Sequence, residues 1–152
     1  MGGLEFLAFE YVMQNPLSLE TDYPYTAKDD ICTYDRSKGK VSVTDYFHLP
    51  PNSADQLRAA LDRQPTCVSV NAGDPIFYTY KGGILNSSVC GHSLDHAITA
   101  VGYGVENGQH YAIVRNSWGT TWGEAGYIRM SLDVGGHGVC GVLDDSVRPQ
   151  TN

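Results

Sequence analysis

The chain has 152 residues, 41% of them hydrophobic, with a formal net charge of -7 and a sequence pI near 5.0. That is enough apolar material for a soluble body with a real core, and the acidic balance excludes nucleic acid or an anionic membrane surface as an attracted partner. Neither a basic run nor an apolar stretch of about 18 residues occurs, so no membrane span or signal peptide is expected.

In chain order, Leu4, Leu7, Ala8, Tyr11 and Val12 recur at helical spacing, which predicts an amphipathic helix over 3–14 ended by Asn15-Pro16. Residues 16–40 are rich in turn formers and tyrosine, and a strand pattern begins at Val41. Ser53-Ala54-Asp55-Gln56 is a capping box. With Leu57, Ala60 and Leu61 on one face, it starts a short helix that runs to Gln64-Pro65. Strands are expected at Cys67–Asn71, Ala97–Tyr103, Gln109–Arg115 and Tyr127–Ser131, separated by glycine-bearing turns. No repeat, low-complexity tract or linker interrupts them.

The chemistry-bearing residues lie between Leu94 and Met130. If the turn between two of these strands is centred on Glu106, the hairpin pairs Val101 with Tyr111 and His96 with Asn116 on one side of the sheet. An asparagine oxygen there would hold one imidazole nitrogen and leave the other free to take a proton, which is the base-plus-orienter part of a Cys-His-Asn apparatus. His48, His92, His110 and His137 have no such partner in sequence and read as surface or loop residues. No metal site is indicated, because CxxC and paired Cys/His spacings are absent, and no cofactor is expected.

Four ordered blocks carry a resemblance: Asp95-His96-Ala97, Gly102-Tyr103-Gly104, Asn116-Ser117-Trp118-Gly119, and Trp122-Gly123 through Gly126-Tyr127. They resemble the papain-like cysteine peptidases, the cathepsin L type most closely, with similarity from Gly2 nearly to the end. The resemblance implies an α+β papain-like fold, with a remnant of the helical left lobe over 1–40 and the antiparallel β-barrel right lobe over 41–152. It implies catalytic roles for His96 and Asn116, with Trp118 shielding their hydrogen bond and Trp122 supporting it. Both tryptophans also read as core aromatics. Gly3, Leu4, Ser69 and Leu94 align with walls of the pocket for the side chain two residues before the scissile bond. Asp145 aligns with the base of that pocket, where a carboxylate would accept a basic side chain; alternatively, it is half of a solvated Asp144-Asp145 pair. Cys90 and Cys140 match family half-cystines and are expected to form a disulfide.

The same resemblance raises a difficulty. The family's attacking cysteine lies roughly 130–150 residues before the histidine and asparagine, and Gly2-Gly3-Leu4 is similar to a segment well downstream of it. The chain would then correspond to the C-terminal two-thirds of the catalytic domain, without the nucleophile and without the glutamine of the oxyanion hole. Cys32 matches a half-cystine whose partner would lie in the absent third, and Cys67, in an apolar β-prone run, reads as a buried small hydrophobe. None of the cysteines has an activating setting in sequence.

The expectation is therefore a portion of a papain-like endopeptidase that is inactive alone. Its partners would be a peptide substrate, if a cysteine-bearing chain completes it, and another protein chain covering apolar surface on residues 3–14. The alternative is a catalytically inactive homologue serving as a structural or binding subunit. A third reading is a fragment of an ordinary enzyme. The family's disulfides and the Asn86-Ser87-Ser88 sequon suggest a lysosomal, vacuolar or secreted product, whereas an initiating Met1 would place it in the cytosol.

Overall fold

The computed structural model describes residues 2–151. The order is α1 (Glu5–Gln14), β1 (Leu17–Ser18), β2 (Gly39–Val41), β3 (Asp45–His48), α2 (Ala54–Leu61), β4 (Thr66–Val70), α3 (Pro75–Tyr78), β5 (Ile84–Leu85), β6 (His96–Glu106), β7 (Gln109–Arg115), β8 (Tyr127–Ser131) and β9 (Ser146–Gln150), with 3-10 turns at Arg36–Lys38 and Val139–Gly141. Two compact units divide these elements: one runs through Phe47 and takes in the chain end from Pro149, and the other spans His48–Arg148.

In the first unit α1 stops at Asn15, whose backbone N–H and side-chain amide both donate to the Tyr11 carbonyl, and Pro16 follows. The predicted apolar stripe exists, but only Val12 of it is buried; Leu4, Leu7 and Tyr11 are about half exposed. Tyr46 gathers the other face, with its ring beside Phe6 and Phe9 and its hydroxyl donating to Glu10. β1 and β2 pair antiparallel through Leu17 and Val41.

The second unit is built on a sheet in the order β9-β4-β6-β7-β8-β5, antiparallel except for the parallel pair of β5 with β8. Alternation along β4 and β6 sends Val68, Val70, Ile98 and Ala100 to one face, where Phe77, Ile128 and Met130 complete a closed core. The capping box works as read, because the Ser53 hydroxyl accepts from the Gln56 N–H, and Leu57 and Ala60 are the buried face of α2. α3 starts on the Asp74-Pro75 pair, with Asp74 accepting from the Ile76 N–H. Among the described residues no helix is long and apolar enough to cross a membrane.

The hairpin register differs from the expected one. Its two-residue loop is Asn107-Gly108, both with positive φ, so Glu106 faces Gln109 and Gly104 faces Tyr111. A register shift between Ala100 and Gly102 then sets Ala100 opposite Val114. The turn is thus centred past Glu106, and His96 is not directly opposed to Asn116; its cross-strand neighbour is Val70 on β4.

Candidate active site

His96 opens β6 at the end where β4 stops, and Asn116 follows the last residue of β7. Continuing the register of Ala100 with Val114 would set Asn116 opposite Ile98, two residues along the same face from His96. A diagonal of that kind is within reach of an imidazole and an amide, and His96 Nε2 lies 2.9 Å from Asn116 Oδ1. The contact expected from the sequence is therefore made, by a diagonal rather than by direct opposition.

Which way the proton sits follows from the neighbours. The Ser117 backbone N–H points at the same Asn116 atom at 2.7 Å. Only an oxygen can accept there, so the amide is oriented with its carbonyl towards the ring, and Nε2 must be the donor. Nδ1 is the ring nitrogen left outside this bond.

Both residues are fixed from behind. The Asn116 N–H donates to the Gly126 carbonyl at 2.9 Å, and the residue is 7% exposed. Just before His96, the Asp95 N–H donates to the Val70 carbonyl, and the Asp95 carboxylate accepts from the Ala72 and Gly73 backbone N–H groups. Asp95 thereby ties the loop after β4 to the first turn of chain before the histidine. That role was invisible in sequence, apart from its place beside His96.

Trp118 stacks on the His96 ring, with centroids 5.2 Å apart and planes 25° from parallel. Trp122 meets Trp118 edge-on, and Phe77 touches both. The Trp122 indole N–H donates to the Tyr78 carbonyl, which anchors this aromatic wall to α3. The wall covers one side of the His96 ring. Asn116 Nδ2 is buried with no hydrogen-bond partner among the described residues. An orphaned donor costs about 1–3 kcal/mol, a cost that folding alone has no reason to retain.

Of the expected pocket residues in this unit, Ser69 donates to Asp145 Oδ2 at 3.2 Å, and Leu94 is 38% exposed. Asp145 also lies 3.9 Å from His48 Nδ1, so it is a partnered carboxylate and not a freely solvated one. Gly3 and Leu4 belong to the first unit and are exposed. The remaining histidines have no opposed asparagine but face carboxylates: His110 with Asp133, His92 and His137 with Asp144, and His48 with Asp145. All are exposed, as expected.

Cys90 and Cys140 form a disulfide. Cys32 is free and exposed, with the Tyr23 hydroxyl donating to its sulfur. Cys67 is half-buried rather than buried, because it sits on the face of β4 opposite Val68 and Val70. That is also the face opposite His96, since His96 shares Val70's side. Its thiol therefore points away from the imidazole.

A half-buried histidine bonded to an asparagine and stacked on a tryptophan is an arrangement that can serve as the base of a thiol-dependent acyl-transfer site. The comparisons agree with that class. The family profile of the papain family cysteine proteases matches residues 1–150. The probable cysteine protease RD21B of Arabidopsis thaliana is 44% identical over 151 residues, 97% of this chain but 32% of that protein. Chymopapain of Carica papaya is 41% identical over 150 residues, 97% of this chain and 42% of chymopapain. The bromelain protease of Ananas comosus, solved in complex with the E64 inhibitor, superimposes with a TM-score of 0.93 at 42% identity, covering 99% of this chain and 71% of that one. The chain belongs to the papain family of cysteine proteases, and it spans about a third of the length of RD21B and less than half of chymopapain.

Proposed function

We propose that this chain supplies the histidine–asparagine half of a papain-type endopeptidase site, with His96 as acid and base and Asn116 as its orienting residue. The support is the Nε2–Oδ1 bond at 2.9 Å, with the oxygen end fixed by the Ser117 N–H, which leaves Nδ1 free for a thiol proton. Transfer of that proton makes a thiolate and an imidazolium. The thiolate adds to the scissile carbonyl, the tetrahedral oxyanion collapses with cleavage of the C–N bond, and Nδ1–H protonates the departing amine. Water then attacks the thioester with Nδ1 as base, releasing the carboxylic acid and restoring the thiol.

On this reading the thiol comes from residues outside these 152, because the remaining free cysteine, Cys32 of the first unit, matches a structural half-cystine by resemblance. Within the second unit, Cys90 and Cys140 are bonded to each other and Cys67 faces away. The half-exposed Leu4, Leu7 and Tyr11 of α1 are apolar surface that a completing polypeptide would cover. Asp145, bonded to Ser69, favours a basic as well as an apolar side chain two residues before the cleaved bond, with Leu94 as a wall of the same pocket by resemblance. The disulfide supports an oxidising compartment, a vacuole or the exterior.

The test is an assay of the purified chain with fluorogenic peptides carrying Arg or Leu at that position, alone and with a cysteine-bearing N-terminal segment of a papain-family enzyme. Turnover should appear only in the mixture and vanish with His96→Ala. A thiol-directed peptidyl warhead that labels the chain alone at one cysteine, and no longer does so after His96→Ala, overturns the proposal. A stable but inactive mixture would favour a non-catalytic binding subunit.

A further inference from the structure

Two loops of the second unit meet at the Cys90–Cys140 disulfide. His92 lies two residues after the first cysteine, and His137 three residues before the second. We propose that His92, His137 and Asp144 form a binding site for a divalent first-row transition metal, zinc being the best match.

The geometry is convergent. One donor atom from each of the three residues lies within 4.8 Å of the other two. The imidazole rings stack with centroids 3.7 Å apart and planes 7° from parallel, and both present Nδ1 to the same carboxylate. His137 Nδ1 lies 2.5 Å from Asp144 Oδ1, and His92 Nδ1 lies 3.6 Å from Asp144 Oδ2. Asp144 is the fixed member, its side chain 17% exposed and its backbone N–H bonded to the Gly141 carbonyl. The two rings are about half exposed, stacked on each other and facing the shared carboxylate.

Zinc holds histidine nitrogens and carboxylate oxygens at about 2.0–2.2 Å, so tetrahedral donors stand roughly 3.3–3.5 Å apart. The His92–Asp144 pair at 3.6 Å already stands near that spacing and the His137–Asp144 pair at 2.5 Å has to open to it, a movement of exposed side chains on loops that the disulfide joins. Two neutral imidazoles and one carboxylate suit zinc or its neighbours better than magnesium or calcium, which take oxygen. Asp145 is not a fourth ligand, because it is held by Ser69 and faces His48. The fourth position would be left to water, as in three-ligand zinc sites. The sequence conceals the site because its histidines sit in separate loops, with no short spacing to mark them.

The full chain, with its disulfide intact, is titrated with cobalt(II), followed by the visible absorption of tetrahedral cobalt and its displacement by zinc, and with zinc by calorimetry. One ion per chain is expected. His137→Ala and Asp144→Asn should each weaken binding at least about tenfold, whereas His110→Ala, which breaks a single histidine–aspartate pair, should leave it unchanged. On the parent chain, zinc should protect His92 and His137, but not His110, from diethyl pyrocarbonate as read by mass spectrometry; this readout needs no variant to fold. Absence of saturable one-to-one binding, equal weakening by all three substitutions, or protection of His110 to the same extent overturns the proposal.

Discussion

At the scale of single residues, the side-chain amide of Asn116 decides what His96 can do. Its oxygen serves two donors at once, the Ser117 N–H and His96 Nε2. A ring held that way is one tautomer, and the neutral form should appear as such in the nitrogen shifts of its NMR spectrum. Asn116→Ala should turn that single tautomer into a mixture, and in the completed enzyme it should lower kcat by about 10²-fold through misplacement of the base. An unchanged nitrogen spectrum in Asn116→Ala would show that the stacked Trp118 alone orients the ring. Gly104 is another residue whose identity the packing constrains. A Cβ added there would stand 2.7 Å from the Tyr111 hydroxyl oxygen and 2.8 Å from the ring carbon bearing it. The Arg129 guanidinium lies over the same ring, 5.4 Å from its centroid, so the ring has contacts to lose if it moves. Gly104→Ala should cost about 1–3 kcal/mol, measured by denaturant unfolding.

At the scale of elements, one charged cluster ties β5 to β8. Arg129 on β8 grips both oxygens of Glu124 through Nε and Nη2, and Glu124 also accepts from the backbone N–H of Gly83, just before β5. A third contact runs from Arg129 to Glu106 at the hairpin end of β6. The guanidinium holds the Glu124 carboxyl below the usual carboxylate range, and the Gly83 N–H adds to this against the opposing effect of burial. A lowered folded-state value means that the stabilisation is complete above the unfolded pKa of about 4.3 and is lost as the pH falls through the folded value. Glu124→Gln should remove about 1–2 kcal/mol at neutral pH and flatten the acid limb of a stability curve measured from neutrality down through the carboxylate range. Little of this clamp was legible in sequence, since Arg129 and Gly83 belong to no motif, Glu124 carries no assigned role within the 122–127 block, and the three meet only through a parallel strand of two residues, too short for any period to reveal. β6, β7 and β8 were legible, because apolar alternation survives wherever one face of a strand is buried. The hairpin register differs from the expected one for a local reason: Asn107-Gly108, not Glu106, is the strong turn signal, and the register shift between Ala100 and Gly102 leaves no mark in composition. The histidine–asparagine contact survived this error because the diagonal keeps both residues on one face.

At the scale of the whole chain, the two units differ in how much core they own. Among the described residues of the first, the buried hydrophobics are Val12 and Val43, whereas the second buries side chains such as Phe77, Leu57, Ile128 and Met130 completely. Amide hydrogen exchange should accordingly be faster across α1 and β1 to β3 than across β4, β6, β7 and β8. The second unit also carries the only disulfide among the described residues, closing a separation of 50 positions between the loop before β6 and the turn before β9. Loop-closure entropy for a ring of that length corresponds to about 4 kcal/mol, and removal of native disulfides typically costs about 2–5 kcal/mol. Both sulfurs are buried, against the core that holds Val139 and Val142, so the bond adds packing to its constraint on the unfolded chain. Cys90→Ala with Cys140→Ala should therefore lower unfolding stability by about 2–5 kcal/mol, with reductant doing the same to the parent chain and nothing further to the double variant. Cys67→Ala should respond to reductant as the parent does, since Cys67 is in no disulfide. If the double variant unfolds at the parent's midpoint, the two loops are held by their packing alone, and the bond contributes no net stability.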